Sequence, residues 1–249
     1  MPQTLRTRFA KDIVAEFLPP ARKSKRQKVV IICSGAPSVP KAAELLSFFS
    51  KKGFWAFALR YRGTWESDGV FLRKPLDEDV LDVVSGLSKG FTSLRDGKKI
   101  KLKPDEVVIL APSFGGPAGI LASRDPRVDK VVCVSPVVDW LAPSKAEPMD
   151  FFLKFMREAF GNGYRFGKKE AAKLRSGNFY SPLRHVKEID GSKLLMFHAK
   201  DDESVRWNEV AKFAKATDAT LKLLKKGGHL NSGKIVRKYW QQIGKFLKE

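Results

Sequence analysis

VVILAPSFGGPAGILAS, residues 107–123, begins as an unbroken apolar run and ends in small residues. The first part reads as a strand covered on both faces, and the second as a closely packed helix. A chain passing straight from strand to helix through one tight residue brings backbone and side chains very near each other. Gly115 and Gly116 remove the side chains that would collide there, and Ala111 is the other small residue such a turn needs. The turn aims the Ser113 hydroxyl off the rim of the sheet. It also leaves backbone N–H groups unpaired at the helix start, where they and the helix dipole can hold a developing oxyanion. A serine at this place also serves as a plain helix N-cap.

Outward from this turn, strands and helices alternate. DIVAEFLPP reads as an edge strand ended by Pro19 and Pro20, and KVVIIC (28–33) as a buried strand. PKAAELLSFFSKKG follows as a helix with Pro40 near its first position and Gly53 as its stop. FWAFALR is a strand, RYRGTWESDGVF a long loop, and LDEDVLDVVSGLSKGF an amphipathic helix. VDKVVCVSP, KLLMFHA and ATLKLLK supply further strands, WNEVAKFAKAT a helix, and GKIVRKYWQQIGKFLK one closing helix. From about 140 to 190 the rhythm breaks into helical segments, among them MDFFLKFMREAF and KKEAAKLRSG.

The pattern predicts one α/β domain over 1–249: a mostly parallel twisted sheet flanked by helices, with a small helical cap insertion at about 140–190. Ligands of such sheets bind off the carboxyl ends of the strands.

Composition narrows the function classes. With 249 residues and 43% hydrophobic content, the chain can fill one large core. No apolar run approaches the roughly 20 residues that cross a bilayer, and the N-terminus lacks a secretory pattern, so a cytoplasmic location is expected. Cys33 and Cys133 fall in buried strands and read as packing residues. Two Cys and three His show no ligand spacing, so neither a metal nor a cofactor is expected. The balance of 47 Lys+Arg against 27 Asp+Glu gives +20, a field that attracts polyanions. The basic residues are spread along the chain and form no known nucleic-acid motif, so no specific nucleic-acid partner is expected.

A serine hydroxyl needs a base to take its proton, and that base needs a carboxylate to orient it. Downstream, HAKDDESV ends a strand with two carboxylates, and KKGGHLNSG follows the last strand with a histidine. His198 reads as a buried, hydrogen-bonded histidine, and His185 as a surface residue of the insertion. Asp139, after VSPVV, is an alternative acid.

Taken together, APSFGG resembles the nucleophile elbow G-x-S-x-G of the α/β-hydrolase fold, with Ala111 for the first glycine. Ser-Phe-Gly-Gly is similar to the elbow of its prolyl-oligopeptidase-like branch. HAKDDESV resembles that branch's H-G-x-x-D-x-x-V acid loop, with Ala199 for glycine, and GGHLNSG its G-G-H loop. The resemblance implies Ser113 as nucleophile, Asp202 as acid, with Asp201 one residue off register, and His229 as base. It implies oxyanion donors at Phe114 and, through Ser34-Gly35-Ala36-Pro37, at Ala36. RYRGTWESDG is similar to the family's R-G-x-G-x-S-x-G loop, with Trp65 in place of a glycine. The implied function is a carboxylesterase-like serine hydrolase acting on a small acyl substrate through an acyl-enzyme, with thioester or amide cleavage in the same class. Alternatives are a peptidase of prolyl-oligopeptidase-like type and a catalytically silent protein binding anionic partners through its basic surface.

Overall fold

The computed structural model describes residues 3–22 and 24–248. Eight strands form the main sheet: β1 (Leu5–Phe9), β2 (Ile13–Leu18), β3 (Lys28–Cys33), β4 (Phe54–Leu59), β5 (Glu106–Pro112), β6 (Lys130–Val134), β7 (Leu194–Ala199) and β8 (Thr220–Leu224). Their order is β1-β2-β4-β3-β5-β6-β7-β8. β2 runs antiparallel to both its neighbours, and every pairing from β4 to β8 is parallel. A two-stranded ribbon, Phe91–Thr92 with Lys99–Ile100, stands apart.

The continuous apolar runs of β3 and β5 follow from burial on both faces. Val29, Ile31 and Cys33 of β3, with Val107, Ile109 and Ala111 of β5, join one core. Val30, Ile32, Val108 and Leu110 join the other. The first core is covered by α2 (Leu76–Lys89), α3 (Gly116–Ala122) and α6 (Trp207–Thr217). The second is covered by α1 (Ala43–Lys51), α7 (Ser232–Lys238) and α8 (Trp240–Phe246).

Three sequence expectations are corrected. β2 is an inner strand, because Leu5–Phe9 pairs along it in register; β1 carries alternate inward residues, with Thr7 and Phe9 buried, among exposed arginines. Helix α1 starts at Ala43, and Pro40 stays in the loop before it. That loop is held at the rim by Ser38, whose N–H donates to the Tyr164 hydroxyl at 2.9 Å and whose carbonyl accepts from it at 3.2 Å. The closing helix is two helices, broken at Tyr239, whose φ of −108° and ψ of 23° leave the helical region. The Tyr239 ring stacks on Phe197, 5.3 Å between centroids.

Between β6 and β7 lie α4 (Met149–Phe160) and α5 (Lys168–Arg175). This insertion is stitched to the loop after β4: Trp65 N–H donates to Gly163 O, Arg165 N–H to Gly63 O, and Phe71 N–H to Arg165 O. The same loop is anchored from below by Arg62, which pairs with Asp12 (2.7 Å), Asp82 (2.6 Å) and Asp79. Among the described residues, no helix is long and apolar enough to cross a membrane.

Candidate active site

β5 ends in extended backbone at Pro112, and Ser113 then takes a φ of 49° before the helical turn begins. That conformation is costly for a residue with a side chain and is kept only where neighbours enforce it. They do so here. The Ser113 carbonyl accepts the N–H of Val137 at 3.1 Å, and the Phe114 carbonyl accepts the Tyr180 hydroxyl at 3.1 Å. The two glycines are explained by close approach. A Cβ on Gly115 would lie 2.6 Å from the Cys33 carbonyl oxygen, and one on Gly116 would lie 2.6 Å from Pro136 Cβ. Ala111 faces Gly119, where an added Cβ would stand 2.5 Å from its methyl. Small residues therefore let β5, α3 and the loop after β3 meet.

Ser113 is half-buried, makes no side-chain hydrogen bond among the described residues, and lines a cavity of about 80 Å³. Ala36 and Phe114 line the same cavity, together with Trp140, Phe152 and Arg206. Neither the Ala36 nor the Phe114 amide donates a hydrogen bond among the described residues.

The loops after β7 and β8 meet through Asp202 and His229. His229 Nδ1 lies 3.0 Å from Asp202 Oδ2 and 3.2 Å from Oδ1, a hydrogen bond in which the imidazole donates. Asp202 Oδ1 also accepts the N–H groups of Ser204 and Val205, each at 3.0 Å. Burial alone raises the Asp202 carboxyl, but His229 and the Val205 amide outweigh it, and the net shift is downward. Burial lowers the His229 imidazole, yet the bond to Asp202 and its negative charge prevail, with Glu147 adding to them, and the net shift is upward. The acid is thus held ionised and oriented, while the His229 side chain stays 34% exposed. No hydrogen bond joins Ser113 to His229 among the described residues.

Two residues whose placement the motifs leave undefined complete the arrangement. Asp201, next to the matched acid, accepts the N–H groups of Gly227 (3.2 Å) and Gly228 (2.9 Å) and so shapes the loop that carries His229. Ser135 accepts the Leu230 N–H at 3.2 Å from the other side. His198 is fully buried; its Nε2 donates to the Val205 carbonyl at 2.9 Å and stands 3.4 Å from Asp202 Oδ2. Burial lowers its pKa, the Val205 carbonyl opposing, so it sits neutral beside the carboxylate.

Asp139 is not brought to a histidine: it accepts the Leu141 N–H at 3.0 Å and lines the cavity. His185 pairs with Glu188 and Arg124 on the surface. Cys33 and Cys133 are buried free thiols, and no group of three or more His, Cys, Asp or Glu among the described residues could hold a metal ion.

The strand order, the parallel crossovers and the serine at the sharp strand-to-helix turn are those of the α/β-hydrolase fold, and the chain has that fold. No protein-family model and no curated protein matches the sequence. Solved structures do. The Pyrococcus furiosus esterase Pf2001 is 18% identical, with a TM-score of 0.67 over 99% of this chain and 89% of that one. Esterase 2 of Thermogutta terrifontis is 15% identical, with a TM-score of 0.66 over 98% and 94%. An acylaminoacyl peptidase of Pyrococcus horikoshii is 16% identical, with a TM-score of 0.69; it matches 100% of this chain, which spans 42% of the peptidase's length.

Proposed function

We propose that the chain is a serine hydrolase that cleaves carboxylic esters of small acyl groups. The observation that carries this reading is the Asp202–His229 hydrogen bond at the strand ends where Ser113 is held at positive φ. Ser113 Oγ attacks the acyl carbon as His229 takes its proton; the tetrahedral oxyanion accepts hydrogen bonds from the amides of Phe114 and Ala36. Each such donor is worth roughly 3 kcal/mol in related chemistry. The ester C–O bond then breaks, and the alcohol leaves with the proton from His229. Water, deprotonated by His229, next cleaves the Ser113 acyl ester and restores the hydroxyl. Asp202 holds the imidazole tautomer throughout.

Ester cleavage is preferred to peptide cleavage because the esterases match over most of their own length and the peptidase over less than half. Thioester and amide substrates share the same chemistry, and aminoacyl naphthylamides test the amide branch. A fluorophosphonate probe will label Ser113 in the folded protein, and Ser113→Ala will lose both labelling and p-nitrophenyl acetate hydrolysis. A folded protein whose Ser113 resists the probe refutes the reading. Binding to polyanions that survives Ser113→Ala and falls steeply with salt would instead support a role for the +20 charge.

A further inference from the structure

Two cavities flank the Ser113 turn, and they differ in size and chemistry; the inference drawn from them rests on the ester-hydrolase reading above. The first, about 80 Å³, contains the Ser113 side chain and both donor residues. Trp140 and Phe152 line it, each ring against Phe114 at centroid separations of 5.0 and 5.7 Å. The second, about 210 Å³, lies between the loop after β3, helix α1 and the ring of Trp65. An engineered cavity of about 150 Å³ holds benzene. On that scale the first cavity admits about three heavy atoms, and the second a whole aromatic ring.

Gly35 lines the larger one. A Cβ at this position would stand 3.4 Å from Ser113 Cβ and 4.0 Å from its Oγ, so the missing side chain leaves open the space between the hydroxyl and the larger cavity. Ser232, three residues after His229, lines that cavity as well. The larger space therefore lies toward the segment that carries the imidazole, the group that must protonate the departing oxygen.

Four of its polar side chains are already committed. The Ser38 hydroxyl donates to Gly35 O (2.7 Å), Thr64 to Tyr61 O (2.8 Å), and Trp65 Nε1 and the Tyr164 hydroxyl both to Ser38 O (3.2 Å each). These bonds fix the walls in advance of any ligand and leave it ring and aliphatic surface, including Leu45 and Leu59, beside Ser34, Lys41 and Ser232 at its edges.

We propose that the substrate joins an acyl group of about two to four carbons to an aromatic or similarly bulky apolar alcohol, with the acyl group in the small cavity and the alcohol in the large one. The bonds made and broken are those of the ester hydrolysis above, with the bulky alcohol as leaving group.

The test measures kcat/KM for phenyl acetate, butyrate and octanoate, and for vinyl acetate, whose small enol leaving group is of comparable acidity. A preference for phenyl over vinyl acetate of about tenfold or more is expected, together with a loss of about tenfold or more from butyrate to octanoate. Leu45→Trp fills the large cavity, and Val39→Trp does so from a position already 45% exposed, where folding is not at stake. Both lower the ratio of phenyl to vinyl acetate. A ratio untouched by both variants, or octanoate cleaved as fast as acetate, overturns the inference while fluorophosphonate labelling of Ser113 keeps the hydrolase reading. An unlabelled Ser113 with no ester cleaved overturns both.

Discussion

Replacing Gly115 by alanine tests the close approach on which the site depends. Gly115 sits at φ −75° and ψ −11°, a conformation alanine adopts freely. Backbone preference alone would make the variant more stable, by up to about 1 kcal/mol. Sterics predict the opposite. The added Cβ would meet the Cys33 carbonyl oxygen at 2.6 Å and that of Ser34 at 2.9 Å, both backbone atoms at the end of a central strand. Relief needs a separation of roughly half an ångström or more between α3 and the loop after β3. Overpacking of this kind costs about 1–3 kcal/mol, or a fall of about 3–10 °C in Tm for a chain of this length. The displaced loop carries Ala36, the second oxyanion donor of the proposed mechanism. A shift of this size is therefore expected to lower kcat for p-nitrophenyl acetate by about tenfold to a hundredfold. Thermal unfolding and initial rates on the same preparation are the assay. A variant that melts at or above the parent temperature with undiminished kcat would show that the contact is not rigid and that the argument is wrong.

Further outcomes follow from the same geometry. Asp202→Asn should lower kcat by about 10⁴. It should also move the acid limb of the pH–rate profile down, because the net upward shift of His229 depends on that carboxylate; an unmoved limb would mean that another group sets it. Arg62→Ala strands Asp79, whose side chain is 2% exposed, and should cost about 3–5 kcal/mol in urea unfolding. Burial pushes the Asp79 carboxyl up to about 6 against the pull of Arg62, so its charged form is the costly one above that value. Without the pull of Arg62 the carboxyl takes up its proton above that value, so the deficit should narrow as pH falls toward about 6; a deficit flat in pH would refute this origin. Burial likewise pushes the Cys33 thiol up to about 12, the Tyr61 hydrogen bond opposing, and raises Cys133. Neither should react with a thiol reagent at pH 8 until the protein unfolds, and rapid titration of the native chain would contradict that.

The central strands could be read from sequence because two-sided burial leaves a plain chemical trace: Val29 to Cys33 and Val107 to Ala111 offer no polar face to water. β1 left no such trace, since only alternate residues turn inward and the intervening arginines make the segment look like a charged tail. At the site, the sharp turn at Ser113 and the pairing of Asp202 with His229 were legible because each residue sits in a short glycine-bearing or acidic motif at a strand end. The part played by Asp201 was not. The motif only sets it one residue off register, and the fold shows that it holds the Gly227–Gly228 turn. Trp65 was harder still. It stands where the resembling loop has glycine, yet it keeps a φ of 46° because its ring fills the space under Gly163 and its indole N–H reaches Ser38 O. Long-range packing settled that position, and a local pattern could not.

The strapping of the serine turn has an engineering corollary. Val137 and Tyr180, which hold the carbonyls on either side of the bend, both belong to the excursion between the sixth and seventh strands. Grafting a foreign set of helices there, the natural route to a new specificity, would discard the Tyr180 tether at residue 114, and the Val137 one as well if the graft began at the strand end. A transplant that omits a hydroxyl at the place of Tyr180 would free the turn to relax, and the redesigned pocket would sit over a serine no longer held in place beneath it.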